Sequence, residues 1–352
     1  MPAADFPLHT LEPLVRLATG VEPPLEFSEI FGGASVRRFF RVKAGPGSSL
    51  IAMYVPAQSH ELSKPPSKPR RWPFLEVREL LEERGVRVPK LLAEDCANGW
   101  ILVEDLGDTL AQHLNKHPEE RDRLYSAAVR SLSLAQRALR ELPEHSVILE
   151  RAFDEDLLTW ELHHFREFGL EARGISLNPR QAEVFERAVA HIASTIAAWP
   201  RGFVHRDYQS RNIMVVEPHQ PELGWIDFQD AMLGPRVYDM VALLNDSYQN
   251  FDVAFVSTRL DEFGAALGLA ALEREALKRE FAWVTVQRKL KDAGRFIFIE
   301  RRHDNPSFLP FFEPTLRKAY AALRSLNDGC LGDLGDLLVE LFPMLNDLDV
   351  RR

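Results

Sequence analysis

"GFVHRDYQSRNIMV" (202–215) places His205, Arg206 and Asp207 directly after an apolar run, and Asn212 directly before a second one. An Asp and an Asn five positions apart suit phosphoryl transfer. There a protein orients the attacking hydroxyl and holds divalent metal against phosphate oxygens that gain charge. In the pattern His-Arg-Asp-x-x-x-x-Asn the Asp accepts a hydrogen bond from the nucleophilic hydroxyl and the Asn amide oxygen binds Mg2+. Residues 205–212 match that spacing in full.

The same chemistry requires a carboxylate on the metal. "WIDFQD" (225–230) supplies Asp227 and Asp230, fifteen and eighteen residues after Asn212. A strand, a turn at "EPHQPE" (217–222) and a returning strand form a hairpin that brings Asn212 and Asp227 together. Hard oxygen ligands of this kind suit Mg2+ and not zinc. Asp230 is expected to serve a turn or to brace its neighbours, and His205 and Arg206 to brace the loop. In "GPRVYDMVALL" (234–244), Gly234-Pro235 opens a helix. Asp239, on its first turns, is expected to accept backbone N–H groups of the loop.

The 352 residues are 45% hydrophobic and 27% charged, an ordinary globular composition with room for two lobes. Lys and Arg number 43 against 52 Asp and Glu, a formal charge of −9. That excludes general binding to nucleic acid or anionic membrane, so an anionic ligand needs a local device. Two cysteines, Cys96 and Cys330, are too few for a disulfide framework. The first twenty residues lack a basic start and an apolar core, and no uninterrupted apolar stretch reaches membrane length, so a cytoplasmic location is expected.

Residues 27–55 read as short strands broken by Gly-Gly and Gly-Pro-Gly, and 57–73 as a Pro- and Lys-rich surface loop. "PFLEVRELLEERG" (73–85) is helical in pattern, and strand character returns in "VPKLLAED" (88–95) and "GWILVEDLGD" (99–108). From there helices are expected near 117–141, 154–169, 179–198, 235–248, 252–267, 270–299 and 313–327. The chain thus reads as an α+β protein of two lobes. A β-rich unit (1–106) meets a larger helical one (107–352) at a hinge near Glu104 to Gly107, and the cleft between them is the expected ligand site.

These motifs, in this layout, resemble the aminoglycoside phosphotransferase and choline kinase family, relatives of protein kinases, over about residues 27–300. "ASVRRFFRV" (34–42), "ILVEDLGD" (101–108), "VHRDYQSRN" (204–212), "WIDFQDAMLGPRVYDMVALLNDSY" (225–248) and "VQRKLKDAGRF" (286–296) look like one branch of it. Members of that branch phosphorylate the anomeric hydroxyl of N-acetylmuramate and N-acetylglucosamine. The resemblance implies a bilobal protein-kinase-like fold with a nucleotide-binding N-terminal lobe and a catalytic and substrate C-terminal lobe. It implies ATP and Mg2+ as cofactors, and a small-molecule sugar as substrate, converted to its 1-phosphate in recycling of peptidoglycan sugars. A monomer or weak homodimer is expected.

Carried over residue by residue, the resemblance makes Asp207 the catalytic base and Asn212 and Asp227 the metal ligands. The backbone from Glu104 to Leu106 would meet adenine, and Gly32 to Ser35, with Gly33, Ala34 and Ser35, would cover the phosphates. One departure stands out. The third strand, "LIAMYV" (50–55), lacks the Lys that pairs with the α/β-phosphates in kinases. Arg38, Arg41 and Lys43 on the preceding strand are the candidate substitutes, with Arg41 assigned to the nucleotide. Glu76 and Glu79 lose their obvious partner and receive no catalytic role.

For the acceptor, "FDEDLLTWELHHF" (153–165) and "WVTVQRKLKDAGRFIFIERR" (283–302) supply Glu161, Gln287, Arg288 and Lys291, joined by Tyr208 and Arg211 of the loop. The second stretch holds six basic residues, Arg288, Lys289, Lys291, Arg295, Arg301 and Arg302. In an acidic protein this excess suits the lactyl carboxylate of muramate, with Arg288 able to bind it bidentately. The His163-His164 pair lacks the i, i+4 spacing of a helical zinc site. Two other readings follow from the sequence: a kinase of another hydroxylated acceptor (aminoglycoside, choline or homoserine), and a nucleotide-binding pseudokinase scaffold, suggested by the absent Lys.

Overall fold

The computed structural model of the chain describes residues 7–22, 24–30, 37–45, 47–56, 71–216 and 223–348. Its first part is a five-stranded antiparallel sheet of β1 (Phe27–Ile30), β2 (Arg38–Gly45), β3 (Ser48–Tyr54), β4 (Leu91–Asp95) and β5 (Trp100–Glu104), in spatial order β1-β2-β3-β5-β4. Alternation of side chains divides these strands between two cores. Phe40, Val42, Leu50, Ala52, Trp100 and Leu102 cluster with Leu11, Leu14 and Val15 of helix α1 (Leu8–Thr19). Met53, Ile101 and Val103, on the opposite face, join a larger cluster with Leu75, Val77 and Leu81 of α2 (Pro73–Glu83) that continues into the helical part. Helix α1, which holds Pro13 in its interior, was not among the expected helices.

The helical part comprises α3 (Leu110–Lys116), α4 (Arg121–Ala138), α5 (Glu155–His164), α6 (Pro179–Ala197), α7 (Tyr238–Leu244), α8 (Val253–Ala266), α9 (Ala271–His303), α10 (Phe312–Ser325) and α11 (Gly329–Leu341). Helix starts follow local chemistry. Asn178 and Gln181 form a capping box before Pro179, and Asp154 and Asp252 accept the N–H groups of Leu157 and Phe255. Helix α9 crosses the interior, and every residue from Trp283 to Leu290 is buried. It passes close to the segment Phe165–Leu170, where α5 continues as a π-helical turn. Gly294 permits the approach, since a Cβ there would lie 2.8 Å from Phe165 Cα and 2.9 Å from His164 O. No helix among the described residues is long and apolar enough to cross a membrane.

Four short strands position the site. β6 (Arg201–Val204) pairs with β9 (Met232–Pro235), and β7 (Ile213–Val215) with β8 (Leu223–Trp225), both antiparallel. Residues 205–212 cross from the first ribbon to the second and 226–231 cross back, so the two polar loops lie side by side. The Ile226 N–H donates to the Asn212 carbonyl at 3.0 Å. The expected helix at 235–248 is shortened to α7 at both ends: Pro235 belongs to β9 and 236–237 form a turn, and the helix stops at Leu244 with Asn245 as its cap.

Candidate active site

The loop from His205 to Asn212 is held from two sides. Asp239, fully buried on α7, accepts the His205 N–H at 2.7 Å through Oδ2 and the Arg206 N–H at 2.9 Å through Oδ1. Opposite, Arg288 of α9 donates to the Arg206 carbonyl at 2.7 Å and to Asp207 Oδ1 at 3.1 Å. These bonds hold Arg206 at φ 78°, a left-handed conformation that a side chain disfavours. The His205 ring meets the Ile226 carbonyl through Nε2 at 3.0 Å and packs edge-on against Trp225. Burial pushes the Asp239 carboxyl up to about 7, with the His205 N–H, Arg288 and the Arg206 N–H pulling the other way.

Asp207, Asn212 and Asp227 meet at the junction of the two loops. Asn212 Nδ2 donates to the Asp207 carbonyl at 2.8 Å and approaches Asp227 Oδ2 at 3.5 Å. Asp227 also sits at positive φ, 62°, and its Oδ1 receives Gln229 Nε2 at 3.0 Å and Arg37 at 3.1 Å. Its carboxyl is pushed up to about 6 by burial and by the neighbouring Asp207 and Asp230, against Arg37 and Gln229. Asp207 shifts in the opposite direction. Burial would raise it, but Arg288, Lys291 and Arg206 outweigh that effect and hold it below the ordinary carboxylate range. Two neighbouring carboxyls are thereby given different tasks, one kept ionised as an acceptor and one that gains most from a cation. Asp230 is tied to Arg151 at 3.1 Å and to Gln229 at 3.0 Å.

The donor set tests the expected metal. With its nitrogen engaged, Asn212 has its amide oxygen as the ligating atom, beside the half-buried Asp227 carboxylate. Two hard oxygen donors, one amide and one carboxylate, fit Mg2+, which keeps several waters and takes the rest of its shell from phosphate.

Asp207 opens onto a cavity of about 350 Å³ walled by α5 and α9. On the α5 side stand Trp160, Glu161 and His164, and on the α9 side Arg288, Lys291 and Arg295. Glu161, 1% exposed, accepts from Gln287 at 2.7 Å and lies 3.7 Å from the Arg206 guanidinium. Lys291 pairs with Asp292 at 2.7 Å. Arg211 is exposed and lies 3.6 Å over the ring of Tyr248, so it supports the cavity wall from outside. An open hollow of about 570 Å³ beside α1, lined by His9, Glu12 and Arg16, is remote from this chemistry.

Three substrate-site expectations change. Tyr208 is fully buried beneath the loop, packed 4.8 Å from Trp225, and its hydroxyl donates to the Ala128 carbonyl at 3.0 Å. Gln287 is also fully buried and stands behind Glu161, outside the cavity lining. Arg288, 1% exposed, has its terminal nitrogens engaged by Arg206 and Asp207, and its guanidinium lies 4.8 Å over the Tyr238 ring. It positions Asp207 and has no free fork for a substrate carboxylate. The sequence reading passed over Trp160, 59% exposed at the cavity, and over the side chain of Arg37, and Arg206, expected to brace the loop, also lines the cavity.

On the nucleotide side, Gly33, Ala34 and Ser35 lie outside the described residues. Of the three candidate substitutes for the missing Lys, Arg38 pairs with Glu29 at 2.7 Å, Arg41 binds Asp105 at 2.6 and 3.2 Å, and Lys43 pairs with Glu26. Arg41 thus ties β2 to the hinge, because Asp105 also accepts Ser49 Oγ and the Gly107 N–H. Arg37 is the cation from the sheet that reaches the Asp227 carboxylate, and its "RR" context gave no sign of which Arg would do so. Glu104 engages Arg87 and the Lys90 N–H through its side chain, and Leu106 is buried against Gly224, where a Cβ would come within 2.7 Å of Leu106 Cδ1.

A small antiparallel sheet, a larger helical part, and an Asp-Asn-Asp triad on two crossing loops define a protein-kinase-like phosphotransferase that acts on a hydroxyl acceptor. Residues 26–277 match the phosphotransferase enzyme family, and the chain belongs to it. It is 33% identical over 331 residues to the N-acetylmuramate/N-acetylglucosamine kinase of Pseudomonas aeruginosa, covering 92% of this chain and 90% of that protein. The kinase of the same name from Neisseria meningitidis serogroup B is 32% identical, over 87% of this chain and 90% of that protein. Among solved structures, the streptomycin-ATP-APH(2")-IIa ternary complex superposes with a TM-score of 0.59 at 14% identity, covering 90% of this chain and 97% of that one. A choline/ethanolamine kinase family protein from Mesorhizobium loti gives 0.57 at 16%, over 94% and 98%.

Proposed function

We propose that the protein transfers the γ-phosphoryl group of ATP to the anomeric hydroxyl of N-acetylmuramate and N-acetylglucosamine, giving the sugar 1-phosphates in the cytoplasmic recycling of peptidoglycan sugars. The observation that carries this reading is the ionised Asp207 at the floor of the cavity, backed by Arg288 and flanked by Asn212 and Asp227. The names of the relatives support the choice of sugar.

Asp207 accepts the hydrogen bond of the acceptor hydroxyl, orients its oxygen, and takes the proton as the new O–P bond forms and the bond to the departing diphosphate breaks. A carboxylate held below its ordinary range is a weak proton sink, so its first contribution is orientation. Asn212 and Asp227 would hold Mg2+, which when bound offsets the charge developing on the phosphate oxygens. Arg37 supplies a cation from the sheet in place of the absent strand Lys. We assign 1–106 to nucleotide binding and 107–352 to catalysis and acceptor, with a monomer or weak homodimer as the working unit. Arg206, Lys291 and Arg295 at the cavity argue against a polycationic aminoglycoside as acceptor.

The test is phosphorus NMR after incubation with ATP, Mg2+ and a panel of acceptors. An anomeric phosphate on the two amino sugars is expected. A phosphate on any other hydroxyl, or ATP binding without turnover on any acceptor, overturns the reading.

A further inference from the structure

We propose that Arg295, with Arg206 beside it, forms the subsite for a carboxylate carried by the acceptor, and so sets the preference between an acidic and a neutral amino sugar. The inference rests on the amino-sugar reading above.

The charges that line the cavity are mostly matched. Arg288 serves Asp207, Lys291 serves Asp292, and Glu161 is bound by Gln287. Arg206 forms an ion pair with Glu161 at 3.7 Å, too long for a hydrogen bond, so its donors stay available to a ligand. Arg295 has no carboxylate within ion-pair reach among the described residues; it is exposed at the cavity, and its guanidinium rests 4.6 Å over the Phe298 ring. Partial shielding from water and the charge of Arg206 push it below its ordinary range. Two guanidinium groups facing one partly dehydrated cavity repel each other, and an anion between them turns that repulsion into two attractions.

Arg288 touches Asp207, and Arg295 lies two helical turns further along α9, about 10 Å of rise, on the same cavity wall. The α5 wall supplies what both sugars share. Trp160 stacks on His164 at 5.8 Å and 27°, giving a flat apolar face. Burial, Arg295 and Lys291 push His164 down to about 4, so it is neutral at physiological pH, and its Nε2 is buried without a hydrogen-bond partner. The ring is therefore read by α5 and the acid by α9.

The experiment compares kcat/KM for N-acetylmuramate and N-acetylglucosamine in the wild type, Arg295→Met and Arg295→Lys. For Arg295→Met the ratio of acidic to neutral sugar is expected to fall about 10- to 100-fold, the range for losing a charge-assisted bond. Arg295→Lys should recover part of it by restoring charge without the fork. An unchanged ratio in Arg295→Met, with the wild type active on both sugars, overturns this inference alone. A wild type inactive on both sugars overturns the proposed function and this inference with it.

Discussion

Replacing Asp239, which touches no substrate in the proposed reaction, should disable the enzyme. Its two oxygens hold the N–H groups of His205 and Arg206, immediately before Asp207. Hydrogen bonds to a charged group contribute about 1.5–3 kcal/mol each, so Asp239→Ala removes about 3–6 kcal/mol and leaves two interior N–H groups unpaired. Relaxation of Arg206 from its left-handed conformation returns about 1–2 kcal/mol. The net loss of stability is about 1–5 kcal/mol, set against the 5–15 kcal/mol of a typical domain, so the variant remains folded at 25 °C. The relaxation moves Asp207, and a misplacement on the order of 1 Å lowers kcat about 100-fold. Asp239→Asn keeps one acceptor and turns an N–H donor toward the other amide, so it should fall between the two.

The assays are urea unfolding and steady-state kinetics at saturating nucleotide. A kcat within threefold of wild type in Asp239→Ala, at any stability, refutes the positioning role. The pH dependence gives a second readout. With a folded pKa of about 7 against an ordinary 3.8 for an aspartate, the folded state holds this proton more tightly than the unfolded chain. Stability therefore falls as pH rises from about 4 to about 7, and Asp239→Asn should flatten that slope.

Three further outcomes are expected. Asp227, raised to about 6 by burial, is likewise protonated more readily folded than unfolded, so Mg2+ should raise Tm more at pH 7.5 than at pH 5, and Asp227→Asn should abolish the difference in a thermal melt. Arg37→Met should raise the KM for nucleotide roughly tenfold with a smaller change in the KM for sugar, measured by coupled assay. Gly294→Ala should lower stability by about 1–3 kcal/mol and raise the KM for sugar, because the new methyl meets backbone at 2.8 and 2.9 Å and pushes α9 away from the cavity's α5 wall.

The triad was legible because its chemistry is carried by residue type at fixed separation. Asp207, Asn212 and Asp227 lie on two loops that short apolar runs bracket, and the hairpin between them has strong turn residues. The role of Asp239 as acceptor of the loop N–H groups was readable from a carboxylate in the first turn of a helix close behind the loop, although Gly234-Pro235, expected to open that helix, belong to β9 and α7 begins at Tyr238. The basic stretch of α9 was harder to read. In sequence, Gln287, Arg288, Lys289, Lys291 and Arg295 are interchangeable polar residues on a helix. Local periodicity also cannot show that this helix runs through the interior, where Gln287, Arg288 and Lys289 are all buried. Similarly, one "RR" pair sends Arg38 to Glu29 and Arg37 to Asp227, and strand register decides which does which.

By itself, the sequence determined that Asp207, Asn212 and Asp227 come together on two adjacent loops, and the division into a small sheet and a helical part, since spacing and hydrophobic pattern are local properties. Tertiary structure alone decided that Arg288 backs Asp207, that Tyr208 packs beneath the loop, and that Arg295 faces the cavity without an ion-pair partner among the described residues. Those assignments depend on which charges burial brings within a few ångströms of one another, and residues 81 positions apart in the chain, such as Asp207 and Arg288, carry no local sign of it.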